Sequence, residues 1–227
     1  MEEKTKSLII NISLVLIMVL LILFSIRIDF FFPVPETGLT SEDIPKQQAF
    51  INTSTGTNPG APIDLIEFSD FGCVYSKQTY PELKQILERY GETINFVFKH
   101  LPQNNLHPNA FDAAVASECA RNQGKFIEYH DVLFESGKLD YESFISLAES
   151  IGLDIEEFYS CIQSGEETKK VMADMREAQA NNIRATPIFI INGDIIIGSQ
   201  DYDSLEDAIE RQLDPEKITE QILGAMN

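Results

Sequence analysis

The feature that most restricts the fold of this chain is a junction. An apolar run, Ile63-Asp64-Leu65-Ile66-Glu67-Phe68, gives way within a few residues to a segment with helical spacing: Tyr80, Leu83, Ile86 or Leu87, and Tyr90. The first reads as a buried strand and the second as a helix. Between them runs Phe71-Gly72-Cys73-Val74-Tyr75-Ser76. A cysteine at a strand-to-helix turn sits where unpaired amide N–H groups and the helix dipole favour a thiolate. Thiolates, not thiols, attack disulfides. A lone cysteine most commonly ends as a small buried hydrophobe, but the turn before a helix is an accessible place. Cys73 is therefore the candidate nucleophile. Ser76 stands where a second cysteine would complete C-x-x-C, so the nucleophile lacks its usual local resolving partner.

The pattern continues as an alternation of strands and helices from residue 61. Strands are predicted over 63–69, over Ile94 to Lys99, over Pro187 to Asn192 and over Ile195 to Ile197, the last two joined by the turn Asn192-Gly193-Asp194. A helix is predicted over 73–90, with Pro81 expected to kink it, and another over 203–213. Between the second and third strands the apolar spacing is helical from 108 to 183: Phe144, Leu147, Ala148 and Ile151 in one piece, Ile155, Phe158 and Ile162 in the next, Val171, Met175 and Ala178 in the last. This is an α/β sheet carrying a helical insertion, about 105–183, within a domain spanning 61–213. Residues 214–227 are left as a C-terminal helix or tail.

Ahead of the domain, Ser7 to Ile26 is a run of 20 residues without a charge. At roughly 1.5 Å per residue it matches a bilayer core, and it is apolar on all faces, unlike a core helix. Lys4 and Lys6 precede it, which favours a cytoplasmic N-terminus over residues 1–6. A cleaved signal peptide is the rival reading, but no A-x-A-like site follows Arg27. The expectation is an uncleaved single-pass anchor at 7–26 and a linker at 27–60, rich in Pro, Gly, Thr and Ser, holding the domain on the extracytoplasmic side of the cell membrane. Asn52-Thr53-Ser54 within it fits a glycosylation acceptor. The net charge of −19 leaves no basic patch for phosphates and argues against nucleic acid. The acids are scattered, as on a solvated surface.

Taken together, the ordered motifs resemble the membrane-anchored branch of the DsbA-like thioredoxin-fold family. They are Gly60-Ala61-Pro62; Glu67-Phe68-Ser69-Asp70-Phe71-Gly72-Cys73; His107-Pro108-Asn109-Ala110; Gly124-Lys125-Phe126 with His130 and Leu133-Phe134; and Ala185-Thr186-Pro187-Ile188-Phe189-Ile190-Ile191-Asn192-Gly193. The resemblance covers roughly 60–213. It implies a thioredoxin fold with an α-helical domain inserted between the second and third strands.

The resemblance also assigns roles. Thr186-Pro187 is similar to the cis-proline loop that faces the active cysteine, where the Thr186 backbone pairs with an extended substrate; from local pattern alone, an ordinary trans proline opening a strand fits equally. Val74, Tyr75, Ala185 and Thr186 are the implied substrate contacts. Ser76 departs from the family pattern. It cannot form a disulfide, but its hydroxyl can donate to the Cys73 sulfur. Val74 and Tyr75 bring no positive charge to the sulfur, unlike the histidine of strongly oxidising relatives. Glu67 is the implied proton relay, and Asp70 is expected to cap the first helix. Cys119 and Cys161 match positions paired in relatives with a second disulfide; a resolving role for one of them toward Cys73 is the rival reading.

His100, His107 and His130 show no ligand spacing, and no metal or cofactor is expected. His107-Pro108 is read as a helix start and His130 as a packed side chain. The function expected is monothiol disulfide exchange, of reductase or isomerase type, on cysteine-containing extracytoplasmic proteins. Low-molecular-weight thiols or a membrane redox partner would complete the cycle. A tethered thiol trap is the alternative. A glutathione-transferase-like activity ranks last, because that class has serine first in the motif.

Overall fold

The computed structural model describes residues 56–214. The anchor expected at 7–26, the segment 1–6, most of the linker and the tail beyond 214 lie outside the described residues. Among the described residues no helix is long and apolar enough to cross a membrane.

Four strands form one sheet: β1 (Ile63–Ser69), β2 (Ile94–His100), β3 (Ile188–Ile191) and β4 (Asp194–Ile197), in the order β2-β1-β3-β4. The β1 and β2 strands are parallel, and α1 (Val74–Tyr90) makes the crossover between them. The β3 strand runs antiparallel to β1, and β4 antiparallel to β3. The turn between them holds Asn192 at φ 47° and Gly193 at φ 96°, the two positive values of a tight hairpin.

The central strand explains its own sequence. Leu65 registers with Phe96 and Ile191, and Glu67 with Phe98 and Phe189. Both faces of β1 are covered, so it reads as a nearly continuous apolar run rather than an alternation. On one face Ile63 and Leu65 pack with Phe96 and Phe98, with Leu83 and Ile86 of α1, and with Leu205 and Ile209 of α7 (Tyr202–Leu213). On the other, Ile66 and Phe68 pack with Val97, Ile188 and Ile190.

The predicted helical stretch between β2 and β3 resolves into five helices: α2 (Ala110–Asn122), α3 (Phe126–Ser136), α4 (Tyr141–Ser150), α5 (Ile155–Ser164) and α6 (Thr168–Ala180). Four of them, α2 to α5, extend the first core through Ala116, Phe134, Phe144 and Phe158, while Ala178 of α6 covers the second face. Asp140 and Asp154 accept from the amides of Ser143 and Glu157 at 2.9 Å, capping α4 and α5. Cys119 of α2 and Cys161 of α5 are joined by a disulfide. Helix α1 runs uninterrupted through Pro81, so the expected kink does not divide it. The sequence His107-Pro108 precedes α2 rather than starting it, because Asn109, at φ 65°, turns the chain before Ala110.

Candidate active site

Cys73 occupies the position just before the first turn of α1. Its amide donates to the Asp70 carbonyl at 3.0 Å, and its carbonyl accepts from Lys77 N at 3.0 Å. No side chain caps the helix there, so its leading N–H groups remain beside the sulfur. The thiol is largely buried, at 5 % exposure, and donates to the Thr186 carbonyl at 3.4 Å. The Thr186-Pro187 bond is cis. Strand β3 thus brings residues more than a hundred positions away in sequence onto the sulfur. Val74 and Tyr75 stand out at 66 % and 58 % exposure, and Ala185 is half-buried. With Cys119 and Cys161 joined, Cys73 is the free cysteine of the three in the chain.

Three expectations for this region need correction, the first being that the turn before the helix leaves Cys73 accessible, since packing against the Thr186 loop buries it. Ser76 is buried on α1, but its hydroxyl does not reach the sulfur; Ser76 Oγ has no hydrogen-bond partner. The thiol is turned toward Thr186 instead. Asp70 does not cap α1. Its Oδ1 accepts from Gly72 N at 2.7 Å, and its Oδ2 accepts from Gln103 N at 2.8 Å and His107 Nδ1 at 2.7 Å. The carboxylate is drawn back to the loop after β2 and cannot also face the helix amides.

Glu67 lies buried on β1, on the sheet face that α1 covers. Burial pushes its carboxyl up to about 7, and the Ser69 hydroxyl on the same face offsets this only in part. Glu67 Oε2 has no hydrogen-bond partner.

The pairing of Asp70 with His107 escaped the sequence reading, which saw two unrelated residues 37 positions apart. A second buried network was also missed. His100 Nε2 meets Glu118 Oε1 at 2.7 Å, and Arg121 Nε donates to Glu118 Oε2 at 2.9 Å. Burial alone would raise the Glu118 carboxyl, but His100 and then Arg121 outweigh it and hold it at about 2. The sequence held one signal for this: the i, i+3 spacing of Glu118 and Arg121 on a helix. His130 packs in α3 among Phe71, Phe98 and Phe134. Among the described residues no group of three or more His, Cys, Asp or Glu side chains is placed to hold a metal.

A groove of about 580 Å³ opens at Cys73, walled by Gly72, Val74, Leu106, His107 and Asp140. Leu106 is 69 % exposed, so the groove has an apolar rim beside Val74.

Residues 53–211 match the thioredoxin family. A thioredoxin-like oxidoreductase from Silicibacter pomeroyi is 27 % identical, with a TM-score of 0.61 over 68 % of this chain and 88 % of that one. The oxidised BdbD of Bacillus subtilis has the same fold at 24 % identity, with a TM-score of 0.60 over 69 % of this chain and 90 % of that one. A curated relative from Mycolicibacterium gilvum, named Na(+)/H(+) antiporter NhaA 1, is 33 % identical over 155 residues. The match takes in 67 % of this chain but spans only about a quarter of that relative's length, and the transport name belongs to that whole protein.

Proposed function

The chain belongs to the thioredoxin family, in its DsbA-like form, and from that premise we propose that it is a thiol–disulfide oxidoreductase working through the single sulfur of Cys73. One observation carries the reading: the Cys73 thiol lies at the open N-terminus of α1 and against the Thr186 carbonyl, inside a groove. Cys73 attacks a client disulfide and forms a mixed disulfide. Val74 and Tyr75 meet the client from the helix side, and Ala185 and Thr186 from the strand side. Ser76 occupies the place of a second thiol without redox capacity. Release therefore needs an outside thiol, either a small one or a second cysteine of the client. Such chemistry suits reduction or isomerisation better than net oxidation, because no intramolecular disulfide can be handed on.

The same proposal places the domain outside the cytosol, tethered by residues 7–26, with cysteine-containing extracytoplasmic proteins as clients and small thiols or a membrane redox partner completing the cycle. The length of the uncharged run supports the tether. The Cys119–Cys161 bond supports an oxidising compartment, where such bonds persist.

A second reading, a thiol trap that holds clients without turnover, is favoured by the lack of a second thiol near Cys73. One experiment separates the two. The purified domain is incubated with a disulfide-bonded client peptide and then with excess small thiol. Turnover predicts mixed disulfides that form and clear; a trap keeps them. Activity undiminished in Cys73→Ala would sink both.

A further inference from the structure

We propose that His107, oriented by Asp70, is the general base and acid for thiol exchange at Cys73; the inference rests on the monothiol reading above. The geometry begins with Asp70, whose side chain is fully buried. It accepts two backbone amides, from Gly72 and Gln103, so it acts here as an acceptor. The third bond, at 2.7 Å, is therefore donated by His107 Nδ1–H. This fixes the tautomer: the neutral ring carries its lone pair on Nε2. A buried carboxylate on Nδ1 also stabilises the imidazolium once Nε2 takes a proton, the logic by which an aspartate serves a catalytic histidine.

His107 lines the same groove as Cys73 and is partly open to it, at 24 % side-chain exposure. It packs against Gly72, the residue before Cys73. A Cβ on Gly72 would lie 2.5 Å from His107 Cβ and 3.1 Å from Cγ, so only glycine there admits the ring. The titratable groups lining the groove are Cys73, Lys77, His107 and Asp140. Asp140 is engaged in capping α4, where it also accepts from the Ser143 hydroxyl at 2.7 Å. Lys77 offers hydrogen-bond donors only. His107 is the one imidazole in the groove, placed where the C-x-x-S motif supplies no proton acceptor.

The cycle balances without an external oxidant. His107 Nε2 takes the proton of Cys73, and the thiolate attacks a client disulfide, forming the Cys73–client bond and breaking the client's own S–S bond. The leaving thiolate recovers the proton from Nε2. A small thiol, or a second client cysteine, then gives its proton to Nε2 and attacks the client sulfur. A new client disulfide forms, Cys73 leaves as thiolate, and the imidazolium returns the proton to it.

The test follows Cys73 alkylation by iodoacetamide against pH, alongside turnover of the disulfide client peptide. In the wild type the alkylation rate should follow two ionisations. His107→Gln should lose one of them and slow alkylation about tenfold at pH 7. His107→Ala should be slowed similarly and regain rate on adding imidazole, which a merely structural role would not allow. Circular dichroism checks that both variants are folded, and Asp70→Asn should fall between them and the wild type. A His107→Gln profile identical to the wild type, or no imidazole rescue in a folded His107→Ala, overturns the proposal. If the wild type itself fails to turn over the client, the monothiol reading fails, while the alkylation profile still decides the role of His107.

Discussion

The Cys73 thiol donates to the backbone carbonyl of Thr186 at 3.4 Å, across 113 positions of sequence. The partner is a main-chain atom, so the contact survives any change in the Thr186 side chain. Ellman's reagent should titrate one thiol per chain in the native protein and none in Cys73→Ser, with fold retained because a hydroxyl can donate to the same carbonyl. Two or three reactive thiols would contradict the cysteine pairing described here.

Ser76 sits buried one turn beyond Cys73, in the place of a resolving thiol. Ser76→Cys should create a dithiol. After mild oxidation its free-thiol titre should fall from two to zero, and it should oxidise a reduced client peptide that the wild type leaves untouched. A variant that keeps both thiols under oxidant would mean that the two side chains cannot meet.

The Cys119–Cys161 bond ties α2 to α5 across 42 positions. On the chain-entropy account a loop of that size is worth about 4 kcal/mol. A Cys119→Ala/Cys161→Ala double variant should lose stability on that scale in urea, while Cys73 keeps its alkylation rate. An unchanged denaturation midpoint would show that the core alone holds the insertion.

Glu67 gives the fold a dependence on pH whose sign follows from burial. Its carboxyl is raised from 4.5 to about 7, so the folded state holds the proton more tightly than the unfolded chain. That stabilisation is complete below about pH 4.5 and is lost as pH rises through 7, by at most about 3 kcal/mol. Glu67→Gln, measured by denaturation at pH 5 and pH 8, should flatten this difference. If the variant keeps the wild-type slope, the carboxyl is not protonated in the fold.

Glu118 works in the opposite direction. With His100 and Arg121 holding it at about 2, its contribution is complete above 4.5 and disappears as pH falls from there toward 2. Glu118→Gln should be destabilised at neutral pH and lose little more on acidification. Thermal melts at pH 7 and pH 3 would read the difference, and parallel losses in variant and wild type would exclude the network as a source of acid sensitivity.

What the sequence determined by itself was everything governed by local spacing. The apolar run at β1, the helical period of α1, the Asn192-Gly193 turn and the last three helices of the insertion, α4 to α6, all follow from which neighbours along the chain share a face, and were legible as written; the division of the stretch before them into α2 and α3 was not. Cys73 at the strand-to-helix junction was legible for the same reason. What only the tertiary structure decided were contacts between residues far apart: Cys73 with Thr186, Asp70 with His107, His100 with Glu118. Asp70 misled because a carboxylate three residues before a helix start looks like its cap, until the loop after β2 offers it the Gln103 amide and the His107 ring. Ser76 misled because proximity in sequence did not decide which way the thiol turns. The physical reason is common to both: periodicity records which side of an element is buried, whereas the partner a buried polar atom meets there is set by how the elements pack, and a carboxylate or thiol takes the donor or acceptor that packing brings within reach.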